Sequence, residues 1–336
     1  MTKSLLSRRL FLGSSLGAGL FASTVVMAQE HMAVGRMIIS GFRGTRVGDP
    51  EVDRIRRYLE AGEIGGVILL RRNITSPEQI LALSTAFREA SGSVRPIISI
   101  DQEGGRVARV DSNNGFRDWG SAAAVAQSGM NDADVLDYYL VRARELALVG
   151  INLNFGPVAD LNVNPANPII GSLGRSYGTD TSSVVRFARH FVQAHRAVGI
   201  KTCIKHFPGH GSSSLDSHRS SVDISSSWSA GELRPFNEIH AAGDMDSLMM
   251  SHVYHPAFSD KAGRPASLSS KGISMVRDTV EFDGPIITDD MQMGAITGTY
   301  TFDRGAVMAL NAGNDFLIVS VRLPRSDDGM ECLLDV

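Results

Sequence analysis

Pro96-Ile97-Ile98-Ser99-Ile100-Asp101 is apolar nearly throughout and ends on a carboxylate. Continuous rather than alternating apolarity predicts a strand buried on both faces, as in a parallel sheet. The pattern recurs upstream at Arg36–Gly41 and Gly65–Leu70. Downstream it returns at Asn152–Pro157, Thr202–His206, Ser247–His252, Pro285–Asp290 and Asp315–Ser320. Stretches of helical length lie between these runs, among them Pro77–Glu89, Asp132–Leu148 and Thr181–Val198. Pro77, following Ser76, suits the first turn of a helix. Strand–helix alternation repeated eight times predicts a single-domain α/β fold, a (β/α)8 TIM-type barrel. An open doubly wound sheet would carry a glycine-rich fingerprint after its first strand, and Gly41-Phe42-Arg43-Gly44 is not one. Only Val321–Val336 follow the last run, so an incomplete final helix is expected.

Polar residues fall where this fold gathers its chemistry. Asp101, Asp160, Lys205, His206, His252, Asp289 and Asp290 lie at or just past the ends of apolar runs. In a barrel those ends converge on one face. The net charge of −3 over 336 residues gives no footprint for nucleic acid and favours an uncharged or weakly charged small ligand. Two distant cysteines do not suggest a stapled fold, and Cys203, inside an apolar run, reads as a small buried hydrophobe.

The amino terminus reads as a targeting segment. Lys3, Arg8 and Arg9 precede an apolar stretch, no acid occurs before Glu30, and Val26-Met27-Ala28 offers a small-residue cleavage site. Ser7-Arg8-Arg9-Leu10-Phe11-Leu12 resembles a twin-arginine export signal. Residues 1–28 are therefore expected to be a cleaved signal peptide and 29–336 the mature domain, exported to the periplasm. The apolar stretch is rich in glycine and serine, which makes it a poor permanent anchor. Losing three cations and no acid takes the net charge from −3 to −6.

Three segments carry candidate chemistry. In Lys205–His218 (KHFPGHGSSSLDSH), His206 and His210 have the i, i+4 spacing of a helical metal pair. Pro208 and Gly209 between them forbid a regular helix, and no third ligand stands at an obvious offset, so no metal is expected. A strand end followed by a loop fits better, with Gly209 and Gly211 making the loop flexible and Asp216-Ser217-His218 as its tip. An Asp two residues before a His can fix the imidazole tautomer, but from spacing alone an Asx turn or helix cap by Asp216 with a solvated His218 is the stronger reading. In Ile286-Ile287-Thr288-Asp289-Asp290-Met291, strand alternation lets only one of the two acids point directly into a pocket. Asp101–Arg109 (DQEGGRVAR) places charge beside two glycines, suited to binding sugar hydroxyls or to a salt-bridged turn.

Together these segments resemble family 3 glycoside hydrolases, specifically the single-domain bacterial β-N-acetylhexosaminidases, in which a KHFPGHG…DSH loop is characteristic. The resemblance runs in order from about Met37 to Ser320. It implies that Asp289 is the nucleophile, His218 the acid/base residue and Asp216 its dyad partner. It also implies that Asp101, Arg109, Arg175 (in Gly174-Arg175-Ser176-Tyr177), Lys205 and His206 bind sugar, and that His252 lines the same pocket. The implied reaction is retaining hydrolysis of a terminal N-acetylglucosamine without a cofactor, by a monomer acting on a small carbohydrate. A loop imidazole would replace the second carboxylate most retaining enzymes use. Imidazole suits the switch from acid to base because its unperturbed pKa is about 6.5. Three other readings stay open: a phosphorylase on the same scaffold, a non-catalytic sugar-binding barrel, and a metal-dependent hydrolase.

Overall fold

The computed structural model describes residues 34–320. The expected signal peptide, residues 1–28, and the segment after the last strand lie outside them. Among the described residues there are ten strands. They are β1 (Ile38–Ser40), β2 (Gly66–Leu69), β3 (Ile97–Ile100), β4 (Leu153–Asn154), β5 (Lys201–Phe207), β6 (Val222–Asp223), β7 (Ser247–Met250), β8 (Val253–Tyr254), β9 (Ile286–Asp290) and β10 (Phe316–Val319). Eight of these close into a parallel barrel in the order β1-β10-β9-β7-β5-β4-β3-β2. All eight predicted runs supply them. The other two, β6 and β8, form a separate short parallel ribbon.

Strand alternation divides each run between two cores. Ile39, Ile68, Leu153, Phe155, Cys203, Met249, Ile287 and Ile318 pack together in the barrel interior. Their chain neighbours Ile38, Val67, Leu69, Ile204, Leu248, Ile286, Leu317 and Val319 face outward into the layer beneath the helices. Each such aliphatic side chain contributes about 1.5–3 kcal/mol when fully buried. Cys203 is buried in this interior, and burial pushes its thiol up to about 12, so it is inert as well as apolar.

Three of the longer helices start at side-chain caps. Ser76 accepts from Gln79 N ahead of Pro77–Ala90, Asn131 from Asp134 N ahead of Asp132–Leu148, and Asp180 from Ser183 N ahead of Thr181–Arg196. The last two helices pack side by side, with Tyr139 and Phe191 in edge contact. Among the described residues, no helix is long and apolar enough to cross a membrane.

Candidate active site

Alternation also decides which polar side chains enter the barrel mouth. Ile287 faces the interior, so Asp289, two residues on, points the same way at the strand's end. Cys203 does the same for Lys205, and Ser99 for Asp101 beyond β3. These three residues, from three strands, line one cleft with Glu103, Arg109, Arg175, His206, His210, Ser217 and His218. That cleft holds about 270 Å³. A second lobe of about 190 Å³, floored by Ile68, Met249 and Ile318, shares Asp101, Arg109, His218 and Asp289 with it. A cavity of about 500 Å³ opens at the opposite end of the barrel, among strand starts such as Ile97, Leu153, Ser247 and Ile287. Of the charged residues lining it, Arg95, Lys201 and Asp246, the last two pair with each other, and in this fold chemistry gathers at the other end.

One wall of the cleft is a ladder of alternating charge. Arg109 reaches Asp101 at 3.4 Å, and Lys205 Nζ donates to Asp101 at 2.9 Å and stands 2.6 Å from Glu103. Arg175 meets Glu103 through two parallel bonds of 2.8 Å and donates a third to Ile169 O. Burial works against the charges of Asp101, Glu103, Lys205 and Arg175, yet their partners outweigh it. Glu103 stays ionised well below the usual carboxylate range, held by Arg175 and Lys205, and Lys205 keeps its proton above its ordinary value. Fixed, desolvated donors and acceptors of this kind suit the hydroxyls of a sugar.

Behind the wall, Asp160 is fully buried. Its Oδ2 accepts from His206 Nδ1 at 2.6 Å, and its Oδ1 accepts from His210 N at 2.8 Å. The His206 and His210 rings lie nearly perpendicular with centroids 6.2 Å apart, far from a helical metal pair. Among the described residues, no group of three His, Cys, Asp or Glu is placed to hold a metal ion.

On β9, Asp289 Oδ1 accepts from Asp290 N at 2.8 Å. Burial raises the Asp289 carboxyl, but His206, His252 and the Asp290 N–H bond outweigh it and hold it down to about 2. It is a carboxylate at any working pH. Asp290 accepts from Gln292 N and Ser320 N at 3.1 Å each and bonds Ser320 Oγ, and burial raises its carboxyl. The two adjacent acids thus have separate tasks, one facing the cleft and one tying down neighbouring loops.

Across the cleft, His218 Nδ1 donates to Asp216 Oδ1 at 2.8 Å, and the same oxygen accepts from His218 N at 2.9 Å. The proton on Nδ1 leaves Nε2 as the nitrogen available for exchange. Burial raises the Asp216 carboxyl, but its bonds to His218 outweigh that and lower it. The tip docks on the barrel rim, where Gly294 N donates to His218 O and Ala295 N to Ser217 O, both at 3.0 Å. A rim carboxylate, a loop imidazole oriented by a second carboxylate, and a polar pocket between them are the parts of a displacement site.

The model of the glycosyl hydrolase family 3 N terminal domain matches residues 37–328. The chain belongs to this family. It is a glycoside hydrolase. A beta-hexosaminidase of Xylella fastidiosa (strain 9a5c) is 35% identical over 294 residues, covering 84% of this chain and 83% of that protein. Beta-hexosaminidase A of Pseudoalteromonas piscicida is 30% identical over 83% of this chain but only 49% of its own length. Among solved structures, a family 3 beta-N-acetylglucosaminidase from Paenibacillus sp. str. FPU-7 superposes with a TM-score of 0.82 at 34% identity. That match covers 91% of this chain and 57% of the other. NagZ from Neisseria gonorrhoeae, in complex with N-trifluoroacetyl-D-glucosamine, gives 0.74 at 30% identity, covering 89% and 83%. The chain therefore spans most of the Xylella and Neisseria proteins and about half of the other two.

Of the residues singled out in this family 3 hydrolase, Asp101, Arg109, Arg175, Lys205, His206, His218 and Asp289 all line the cleft, with Asp216 bonded behind His218. His252 is a correction. Rather than lining the pocket it is buried beneath it, donating from Nε2 to Asp290 O at 3.0 Å, with Ser267 Oγ 2.7 Å from Nδ1. The glycines are another. A Cβ on Gly211 would fall 1.7 Å from Leu161 O, and one on Gly209, whose φ is +113°, 2.8 Å from Glu232 Cβ. Both serve close packing at the loop's base rather than looseness. Sequence reading missed Glu103 and the pairing role of Asp160. The place of Glu103 beside Gly104 and Gly105, two residues past a strand-end acid, was the available signal.

Proposed function

We propose that this glycoside hydrolase is a retaining, exo-acting β-N-acetylhexosaminidase, with Asp289 as nucleophile and His218, paired with Asp216, as acid/base. The observation that carries the reading is the His218–Asp216 pair at 2.8 Å in the same cleft as an ionised Asp289. Asp289 attacks the anomeric carbon while imidazolium gives its proton to the departing glycosidic oxygen. Neutral imidazole then takes a proton from the water that cleaves the glycosyl ester. Asp101, Arg109, Lys205, Arg175 and His206 hold the terminal sugar. The cleft's small, polar volume suits one terminal residue rather than the middle of a chain. The beta-hexosaminidase relatives support N-acetylglucosamine as that residue.

The substrates proposed are peptidoglycan fragments or chitooligosaccharides, met in the periplasm by a monomer that needs no cofactor. Comparing an aryl N-acetyl-β-glucosaminide with the corresponding aryl β-glucoside tests the sugar, and a preference for the glucoside refutes it. Asp289→Ala is expected to reduce turnover of either to background. His218→Ala is expected to spare kcat/KM on an activated aryl glycoside, whose first step needs no acid, and to lower kcat/KM on a natural disaccharide on the order of 10²–10⁴-fold. Sugar 1-phosphate formed in phosphate buffer would instead mark a phosphorylase.

A further inference from the structure

The middle residue of the loop tip is held by a side chain outside the dyad. His210 is buried, and both ring nitrogens meet serines. Nδ1 lies 2.8 Å from Ser213 Oγ and Nε2 3.0 Å from Ser217 Oγ. Burial, with the nearby His206, pushes its imidazole down to about 4, so the ring is neutral and bridges one serine as donor and the other as acceptor. His210 edges the cleft, but neither nitrogen is left for a sugar hydroxyl.

Ser217 is 1% exposed, whereas the His218 side chain is 59% exposed and that of Asp216 24%. The dyad's two members therefore stand either side of a buried peg. That peg is gripped twice, by His210 through its hydroxyl and by Ala295 N through its carbonyl. His210 is in turn fixed by its own N–H to Asp160 Oδ1, and the other oxygen of that carboxylate orients His206 in the sugar wall.

We propose that His210 is a positioning residue for proton transfer. By pinning Ser217 it registers His218 against the same buried carboxylate that orients the sugar-binding wall. The proposal rests on the acid/base reading of His218. The effect is on geometry, and displacement of a catalytic group by about 1 Å costs on the order of 10²-fold.

Ser217→Ala, His210→Asn and His210→Gln test it in the full-length enzyme. Gln reaches the position of Nε2 and keeps a partner for Ser217, whereas Asn reaches only that of Nδ1. In Ser217→Ala and His210→Asn, kcat on N,N′-diacetylchitobiose is expected to fall on the order of 10²-fold. The kcat/KM for a 2,4-dinitrophenyl glycoside, which reports only a first step that needs no proton, should stay near wild type, and His210→Gln should recover most of the loss. Amide exchange at Arg219, Ser220, Gly294 and Ala295 should quicken in Ser217→Ala. Equal losses on both substrates, no loss, or unchanged exchange would overturn the pinning role. His218→Ala run alongside separates the two ideas. If it shows no dependence on leaving group, the acid/base reading fails, and the exchange data still judge the tether on its own.

Discussion

Glu232→Gln should make this enzyme more stable above neutral pH and leave it unchanged in acid. Glu232 is 1% exposed beneath the base of the loop that carries His218. Its Oε2 accepts from Ser212 N at 3.3 Å, and among the described residues its Oε1 has no hydrogen-bond partner. Burial, helped by the charge of Asp160 and opposed by the Ser212 bond, raises the carboxyl from 4.5 to about 7. The unfolded chain releases this proton near 4.5 and the folded one only near 7. The associated stability is complete below 4.5, declines between the two values and is lost above 7. At 1.36 kcal/mol per pH unit, a rise of that size is about 3 kcal/mol. Glutamine mimics the protonated acid and cannot ionise. At pH 8 it should therefore recover up to about 3 kcal/mol, roughly 5–10 °C in Tm for a domain of this size. Toward pH 4 the two proteins should unfold together. Urea or thermal unfolding of both at pH 4.5, 6 and 8 provides the measurement. A gap that does not change with pH, or a glutamine variant weaker at pH 8, would refute a buried, protonated carboxyl at this position.

Removing charge from the ladder should have the opposite effect. Glu103→Gln leaves Arg175 and Lys205 buried without their shared partner, which is expected to cost about 3–5 kcal/mol in denaturant unfolding and to weaken glycone-inhibitor binding. Because Asp289 is held down to about 2, kcat/KM on a 2,4-dinitrophenyl glycoside, whose first step needs no proton, should stay flat from about pH 4 to 7. An acid limb centred near 4–5 in that profile would contradict the environment described for Asp289.

The barrel was legible because most of its buried parallel strands are apolar at consecutive positions, a signal that survives in four residues, as in Gly66–Leu69. The ribbon of Val222–Asp223 with Val253–Tyr254 was not legible, since two residues carry no period. Within the site, His218 and Asp216 stand two residues apart, yet that spacing alone favoured an Asx turn, and only the family resemblance singled them out as a pair. The Arg175–Glu103 pair joins side chains 72 positions apart, and local pattern has no access to it. Alternation limited the choice between Asp289 and Asp290 to one, but only the observed inward face of Ile287 says which. His252 shows the limit of strand-end reasoning. A polar residue one step out of phase with the interior serves the wall from behind.

The β6–β8 ribbon gives the stretch from Gly211 to Ser221 a second foothold, so the acid-bearing arm is a span fixed at both banks. Strand β5 and the ribbon both lie outside that span. The whole arm is therefore a natural cassette for chimeras. Exchanging it between relatives should transplant reach and leaving-group preference together, while the sugar-holding wall of the recipient stays as it was.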